Sequence, residues 1–353
     1  MAVARGDCLK PDGKITIYDV AREAGCSTAT VSLVMKGDSR VNAKTAERVL
    51  KCAEELNYRP NYLASSLASK KTNTIGVIVS NLNNPVFSEI ICGIEEFISK
   101  CGYSLTIGVT YFSVERERHY LDLFSRNRTD GIVLLPTRWA ESRAMVLELQ
   151  KQGFPMCVSG INPNEQNISF VASNMSDGAF LSVEYLIKMG HRNIAFVAGD
   201  STLEGRTERF EGYQRALKLY GIDFNPEYVI KSEVDFASIR NAMLPFMKKH
   251  PDVTALYCMY DYIALAVIKA MSDLNLRVPE DISIVGYDNI DISEYYPVGL
   301  TTVEPGNKKI GELSGRIIVN MIEKSGDQTQ SMLLTPKLIT RNSVMRRDVE
   351  GLD

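Results

Sequence analysis

The stretch ITIYDVAREAGCSTATVSLVM, residues 15–35, predicts two short helices joined by a tight turn. Thr16 followed three residues later by Asp19 has the pattern of a capping box, in which side chains satisfy free backbone amides, so a helix should start directly after Thr16. Gly25 supplies the left-handed backbone that a tight turn requires and that other residues adopt at a cost. Ser27 is then placed to cap the second helix.

A third helix is predicted downstream of these two. Asn42 can cap it, and residues 43–56 carry small and aliphatic side chains at helical spacing, which gives this helix one apolar face. In the second helix, Val31 and Val34 are three residues apart and face a common core. Three such helices form a minimal helix-turn-helix bundle, whose second helix enters the DNA major groove. The alternative is an alanine-rich helix pair with no role in DNA binding.

Four motifs give the chain a resemblance to a known family. They are Thr-Ile-x-Asp-Val-Ala at residues 16–21, Ser-Thr-x-Thr-Val-Ser at 27–32, Glu-Leu-x-Tyr-x-Pro-Asn at 55–61 and Gly-Tyr-Asp-Asn at 286–289. From Ile15 to about Val344, the chain resembles the lactose-repressor-type (LacI/GalR) transcriptional regulators. The resemblance implies an N-terminal all-α helix-turn-helix head and an α/β two-lobed, periplasmic-binding-protein-like body with two doubly wound parallel sheets.

The resemblance also implies a domain organisation. We expect a disordered tail at residues 1–13, a helix-turn-helix DNA-binding domain at 14–60, a hinge helix and linker at 61–72, and an effector-binding and dimerisation domain at 73–353. Within the last of these, the N-lobe should comprise about 73–173 and 305–333, and the C-lobe about 174–304 and 334–353.

The family match assigns DNA contacts to the head and the hinge. They are Thr16, Tyr18, Ser27, Thr28, Ala29, Thr30, Ser32, Leu33, Arg40, Lys44, Asn61, Leu63, Ala64 and Leu67. Thr28, Ala29 and Leu33 occupy the positions that read the major groove, and none of them can form a bidentate pair with guanine. Arg40 and Lys44 are expected to contact phosphates. Leu67 matches the hinge leucine that wedges into the minor groove, the alternative being that it packs one hinge helix against another.

Charge is spread unevenly along the chain. Residues 14–71 contain ten lysines and arginines against six acidic residues, a net charge of +4, whereas the whole 353-residue chain carries −3. A basic head on an acidic body is typical of a DNA-binding domain attached to a part that does not bind DNA, although solvated helices also often carry excess lysine and arginine. The seven cysteines show no metal-binding spacing, and no apolar run has membrane length. We therefore expect no metal, no cofactor, no membrane partner, and a bacterial cytoplasmic, nucleoid-associated location.

After residue 71, short apolar runs alternate with amphipathic helical patterns, which indicates parallel sheets covered on both faces. Ligands of such folds bind at the carboxyl ends of the strands. The candidate effector-binding residues there are Asn83, Phe87, Ser159, Arg206, Arg209, Tyr260, Asp261 and Asp288. Arg209 and Asp288 resemble the family's cleft arginine and its ligand-binding acid. The alternatives are a core position for Phe87, solvated positions for the two arginines, and a helix-capping role for Tyr260 and Asp261.

These loops combine Asn, Asp, Ser and Arg with a few aromatic residues, a set that can hydrogen-bond a polyhydroxylated ligand and stack on its apolar face. We therefore expect a sugar or sugar derivative as the small-molecule effector, with a purine or nucleoside as the alternative. No heptad-repeat tail follows Arg347, so the expected assembly is a homodimer on double-stranded, pseudo-palindromic operator DNA.

The expected function is therefore that of an effector-controlled transcriptional repressor. A sugar-binding protein without a DNA function is the alternative from another class. We do not expect an enzyme, because the sequence shows no glycine-rich phosphate loop, no Gly-x-Ser-x-Gly and no metal triad. The histidines, His119, His191 and His250, fall near polar helix ends and are predicted to lie at the surface.

Overall fold

The computed structural model describes residues 15–58, 71–126, 128–199, 206–233, 235–324 and 329–347, with the backbone alone at Arg206 and Lys324. The chain divides into two compact units, a head within residues 1–72 and a body of residues 73–353. Each unit has hydrophobic clusters of its own.

Three short helices make up the described part of the head, and local sequence signals set their starts. They are α1 (Ile17–Glu23), α2 (Thr28–Met35) and α3 (Ala43–Glu55). The capping box between Thr16 and Asp19 is present, and the Ser27 hydroxyl accepts the Thr30 amide at 3.1 Å. Gly25 has a φ of +59°, the left-handed conformation that the turn was predicted to need.

The core of the head draws one or two aliphatic side chains from each helix. Val20, Val31 and Val49 are completely buried, and Val34 is nearly so. Burying a valine stabilises a fold by about 1.5–3 kcal/mol relative to leaving it exposed. This small core is enough to fix the angle between α1 and α2 and to leave the other faces of α2 available at the surface.

The body alternates strands with helices through most of its length, as the sequence pattern predicted. Its strands are β1 (Thr74–Val79), β2 (Ser104–Val109), β3 (Gly131–Leu134), β4 (Met156–Ser159), β5 (Phe170–Ser173), β6 (Ile194–Ala198), β7 (Val229–Lys231), β8 (Ala255–Cys258), β9 (Ser283–Val285), β10 (Thr302–Glu304), β11 (Ser331–Leu334) and β12 (Lys337–Ile339). Its helices are α4 (Pro85–Ile98), α5 (Val114–Ser125), α6 (Trp139–Lys151), α7 (Met175–Lys188), α8 (Arg206–Leu219), α9 (Phe236–Lys249), α10 (Asp261–Asp273), α11 (Ile292–Tyr295) and α12 (Asn307–Lys324).

Two parallel sheets divide the body into two lobes. The first lobe contains strands in the order β11-β5-β4-β3-β1-β2, with a buried apolar cluster on each face. The second lobe contains β7-β6-β8-β9, beside which β10 and β12 form an antiparallel pair. Parallel strands covered on both faces are the arrangement expected for doubly wound sheets. The predicted α/β two-lobed fold class is confirmed.

Within the described ranges, the chain passes from one lobe to the other after β5, after β10 and after β11. The second of these passages leads into α12, which packs against α4 in the first lobe. Two glycines allow the helix backbones to approach closely: a Cβ atom at Gly93 would lie 2.1 Å from the Lys308 carbonyl, and one at Gly311 would lie 2.0 Å from the Ile90 carbonyl. Any larger residue at either position would force the helices apart.

The sequence of residues 162–174 is polar and turn-rich, as a switch between lobes would be. The chain does pass between lobes at the end of this stretch, but Phe170–Ser173 within it forms β5, a buried strand between β4 and β11. A run of three apolar residues inside a polar segment gives too weak a periodic signal for a strand to be assigned. Within the described ranges, none of the helices combines the length and apolarity needed to cross a bilayer.

Candidate functional site

A cavity of about 390 Å³ lies where the carboxyl ends of strands from both lobes meet. From the first lobe it is lined by Ser80 after β1, Thr137 after β3, and Ser159 at the end of β4. The second lobe contributes Tyr260 after β8 and Asp288 after β9. Strand carboxyl ends converge at one edge of a parallel sheet, which is why ligands of such folds bind there.

The charged centre of the cavity is a loosely paired arginine and aspartate. The Arg209 Nη2 atom lies 3.6 Å from the Asp288 Oδ1 atom, a distance too long for a hydrogen bond. Both residues are buried, with 4% and 5% of their surface exposed. The guanidinium carbon lies 4.8 Å from the ring centre of Tyr260 and 4.2 Å from that of Tyr287, so the cation packs against two aromatic rings.

Several buried polar atoms around this pair have no hydrogen-bond partner among the described residues. They are Arg209 Nε, Ser173 Oγ, Tyr257 OH and Tyr287 OH. Arg209, Ser173 and Tyr287 line the cavity. Buried polar atoms of folded proteins are nearly always hydrogen-bonded, and each one left unpaired costs about 1–3 kcal/mol. The three that line the cavity come from both lobes, Ser173 from the first and Arg209 and Tyr287 from the second, so the cavity offers unused hydrogen-bonding groups on both of its sides.

The backbone of Asp288 is strained. Its φ is +113°, a value that side-chain-bearing residues rarely adopt, and its amide donates to the Val303 carbonyl at 2.9 Å. Burial raises the pKa of the Asp288 carboxyl well above its usual range, and the Arg209 guanidinium opposes this rise. Strain of this kind persists only where the surrounding structure enforces it, and it clusters at binding sites.

Most of the predicted effector-binding residues lie on the walls of this one cavity. They are Asn83, Phe87, Ser159, Arg209, Tyr260 and Asp288. Ser159 is almost completely buried, and its hydroxyl is 3.0 Å from the Ser314 hydroxyl of α12, so part of its hydrogen-bonding capacity is already used. Arg206 is the first residue of α8, and its side chain lies outside the described part of the chain. Contact of these residues with a ligand stays a prediction.

Asp261 corrects the sequence-based assignment, because it does not line the cavity. Its completely buried carboxylate accepts the Ile290 amide at 3.0 Å, the Ser293 hydroxyl at 2.8 Å, and the Thr302 hydroxyl. Burial raises the pKa of this carboxyl to about 6, while the three hydrogen bonds pull it back. Asp261 therefore ties the start of α10 to the segment between β9 and β10 and to the first residue of β10.

Other residues on the cavity walls were not predicted. Ser173 is the last residue of β5, and Tyr287 comes shortly after the end of β9. The rule that ligands bind at strand carboxyl ends would have found both residues if it had been applied to these two strands. Phe112 and Tyr262 line the cavity with about half of their surface exposed. For Phe112 no sequence signal exists, because its position depends on an unusual backbone conformation.

In the head, the predicted DNA-contacting residues within the described ranges are exposed or half-buried. They are Thr16, Tyr18, Ser27, Thr28, Ala29, Thr30, Ser32, Leu33, Arg40 and Lys44. Tyr18 is 71% exposed. Asn61, Leu63, Ala64 and Leu67 lie outside the described residues.

Arg40 already has a partner within the head. Its Nε and Nη2 atoms donate to the Asp38 carboxylate at 2.9 and 2.6 Å. The guanidinium holds the pKa of Asp38 down at about 2, so Asp38 is ionised at neutral pH. A phosphate would have to share Arg40 with this carboxylate.

The prediction of surface histidines was right for His119 and wrong for His191 and His250, both of which are buried. The His191 ring is bonded at both nitrogens: Nε2 lies 3.1 Å from the Met345 carbonyl and Nδ1 lies 2.9 Å from the Thr254 hydroxyl. A carbonyl can only accept, so Nε2 carries the proton and Nδ1 accepts from Thr254. Burial lowers the pKa of His191 to about 4.

The chain is similar to known regulatory proteins over nearly its whole length. A family model described as bacterial regulatory proteins, lacI family, matches residues 16–61, and one described as a periplasmic binding protein-like domain matches residues 183–344. The HTH-type transcriptional repressor PurR of Aliivibrio fischeri (strain MJ11) is 34% identical over 336 residues, which cover 94% of this chain and 99% of the relative.

Solved structures agree with this relationship. The lac repressor dimer bound to operator and the anti-inducer ONPF matches with a TM-score of 0.85 and 28% identity, covering 94% of this chain and 99% of that one. The complex of the transcriptional regulator CelR with cellobiose matches with a TM-score of 0.71 and 26% identity, covering 94% and 100%. The resemblance carried by the helix-turn-helix motifs is thus confirmed, and the chain belongs to the lacI family of bacterial regulatory proteins.

Proposed function

We propose that this protein is a transcriptional repressor whose operator affinity is controlled by a small polar ligand bound between the two lobes of its body. It acts as a homodimer on a pseudo-palindromic operator in the bacterial cytoplasm and nucleoid, and it is not an enzyme. The observation that carries the proposal is the buried Arg209–Asp288 pair, whose partners are not hydrogen-bonded to each other and face a cavity shared by both lobes.

The position of the cavity supports control by a ligand. Arg209 and Asp288 belong to the second lobe, whereas Ser80, Thr137 and Ser159 belong to the first. A molecule that contacts both walls binds one arrangement of the lobes more tightly than another. A ligand shifts a conformational equilibrium only through such a difference in affinity, so a cavity between lobes is a suitable place for the control site.

The ligand proposed first is a sugar or sugar derivative. The cavity walls carry hydroxyl and amide side chains as well as aromatic rings, and the Arg209–Asp288 pair offers both donors and an acceptor. The similar regulator CelR was solved in complex with cellobiose. A purine or nucleoside is the alternative, since a flat base can stack on the same rings.

On the DNA side, we propose that α2 lies in the major groove with Thr28, Ala29 and Leu33 toward the bases. Arg40 and Lys44 then neutralise phosphates, and Leu67 wedges into the minor groove. The lac repressor dimer that this chain resembles was solved bound to operator. Exposed side chains on α2, next to a buried Val31 and Val34, are what this docking requires.

The proposal is tested by binding assays on the full-length chain. Gel shifts with genomic fragments should yield a specific fragment, and its affinity should fall by tenfold or more between low and physiological salt. A thermal-shift screen over sugars and nucleosides should yield a ligand, because a molecule that binds the native state alone raises the melting temperature. Failure to bind any genomic fragment, or affinity that is insensitive to salt, would contradict the proposed function.

A further inference from the structure

A four-residue turn at the edge of the cavity has a backbone conformation that is unfavourable for the residues at its centre. The turn runs from Thr110 to Ser113, and the Ser113 amide donates to the Thr110 carbonyl at 3.1 Å. Its central residues, Tyr111 and Phe112, have φ angles of +51° and +61°. Positive φ at both central positions is the pattern of type I′ turns, in which Gly, Asn and Asp dominate. Two consecutive aromatic residues are strained in this conformation.

The first lobe holds both ends of this turn in place. Thr110 is completely buried, and its hydroxyl lies 3.0 Å from the Thr137 hydroxyl. The Thr137 amide donates at 2.7 Å to Glu117, a completely buried carboxylate that also accepts the Ser142 hydroxyl. At the other end, Ser113 caps α5. The strain persists because these contacts fix both ends of the turn. They do not explain why its two central residues are aromatic, which indicates that these side chains serve a purpose other than holding the turn.

The two aromatic side chains of the turn face different surroundings. Phe112 lines the cavity and is 49% exposed. Tyr111 is not among the cavity-lining residues, and the Arg116 guanidinium lies 4.9 Å from its ring centre. The second lobe contributes an aromatic residue of similar exposure: Tyr262 of α10 lines the same cavity and is 51% exposed. Two half-exposed rings, one from each lobe, thus border a cavity whose charged pair is buried.

We propose that Phe112 and Tyr262 form a second ring-binding subsite, and that the natural ligand accordingly has two linked rings. This inference rests on the proposed function. One ring of the ligand is held against Arg209 and Asp288, and the other covers Phe112 and Tyr262. A sugar ring and a nucleobase both present a flat face that packs on an aromatic side chain, so the shared chemistry is that of a disaccharide or a nucleoside.

The test is a titration of the full-length chain with matched one-ring and two-ring probes. Glucose is paired with cellobiose, and ribose with adenosine. Phe112→Gly removes both the ring and the strain at its position. Tyr111→Gly removes the strain next to it and keeps the Phe112 ring, which makes it the matched control. Melting temperatures of the ligand-free proteins are recorded in parallel.

We expect one two-ring probe to bind the parent protein at least ten times more tightly than its one-ring partner. Phe112→Gly should abolish this preference, and Tyr111→Gly should keep it. The two variants should melt at similar temperatures, because in both the strain relieved at positive φ is set against the conformational entropy that glycine adds to the unfolded chain.

Three results overturn the proposal. If a one-ring probe binds as tightly as its two-ring partner, or if Phe112→Gly keeps the preference, the two-ring ligand is wrong although the proposed function stands. If none of the four probes binds, the two-ring ligand is wrong, and so is the proposed ligand class of sugars and nucleosides. If Phe112→Gly melts well below Tyr111→Gly, the ring serves to pack the fold.

Discussion

Arg209 and Asp288 lie side by side in the cavity without a hydrogen bond between them, their nearest charged atoms being 3.6 Å apart. Isolated buried charges are costly, and a buried ion pair offsets that cost fully only when hydrogen bonds satisfy its remaining donors and acceptors. In this protein the Arg209 Nε atom has no partner among the described residues. The pair therefore leaves hydrogen-bonding capacity unused among the described residues, and we propose that a polar ligand takes it up.

The Tyr287 hydroxyl gives a prediction in which stability and binding change in opposite directions. This hydroxyl is buried, and its contact with the Ser173 hydroxyl is too loose to satisfy either group. Tyr287→Phe removes it, so the ligand-free protein should become more stable, by about 1 kcal/mol. Ligand affinity should fall several-fold because the ligand loses a hydrogen-bonding group. Chemical denaturation and calorimetric titration measure the two effects. A loss of stability with unchanged affinity would mean that the hydroxyl serves the fold.

Asp261→Ala should damage the fold and spare the ligand site. The substitution leaves the Ile290 amide and the Ser293 and Thr302 hydroxyls without their common acceptor. Unsatisfied buried donors cost about 1–3 kcal/mol each, so the free energy of unfolding should fall by about 3 kcal/mol or more. Ligand affinity, measured at a temperature where the variant is folded, should stay within about threefold of the parent's. The opposite pattern, normal stability with lost binding, would restore Asp261 as a ligand contact.

The ion pair between Arg40 and Asp38 predicts an effect on DNA binding. Asp38→Asn releases the Arg40 guanidinium from its carboxylate partner and makes it available to a phosphate. Operator affinity at low salt should rise, and the slope of log affinity against log salt should steepen by less than about 0.9, the value for a whole phosphate contact, because Arg40 already makes part of that contact in the parent. Arg40→Ala in the same assay is the control and should flatten the slope. An unchanged slope in both variants would show that Arg40 does not contact DNA.

His191 predicts a dependence of stability on pH. Its pKa is lowered to about 4 in the folded protein, from about 6.5 when unfolded, so the unfolded chain binds the proton more readily between these values. The stability contributed by neutral His191 is complete above pH 6.5 and is lost as the pH falls toward 4, at about 1.4 kcal/mol per pKa unit. His191→Gln keeps a donor and an acceptor without titrating. Denaturation of both proteins from pH 7 to pH 4 should show a shallower loss in the variant, whereas parallel curves would contradict the assignment.

Local sequence signals predicted the parts of this fold that depend on local interactions. The capping box at Thr16, the turn at Gly25 and the cap at Ser27 are each determined by residues within a few positions along the chain. Alternation of apolar runs with amphipathic helices likewise predicted the parallel sheets. The strand-end rule pointed to Asp288, which follows β9, whereas Arg209 lies within α8 and was singled out by its resemblance to the family's cleft arginine.

The errors arose where distant residues decide the outcome. His191 is buried by partners 63 and 154 positions away, Thr254 and Met345, which no local pattern reveals. Asp261 follows a strand as Asp288 does, but the segments around β9 and β10 enclose its carboxylate. Phe112 lies on the cavity because of its φ angle, and an aromatic pair is not a sequence signal for a left-handed turn. Tertiary packing overrode local preference in all three places.

The central claim is that occupancy of the Arg209–Asp288 cavity sets operator affinity. The most direct test is an operator titration of full-length protein with and without the ligand from the thermal-shift screen, on the parent and on Asp288→Asn. In the parent, saturating ligand should change operator affinity by about 5- to 150-fold. In Asp288→Asn, ligand-free operator affinity should equal the parent's, and the ligand should bind more weakly by about 1.5–3 kcal/mol, so that the concentration needed for the response rises by at least tenfold. An identical response of both proteins to the same ligand concentrations would contradict the account.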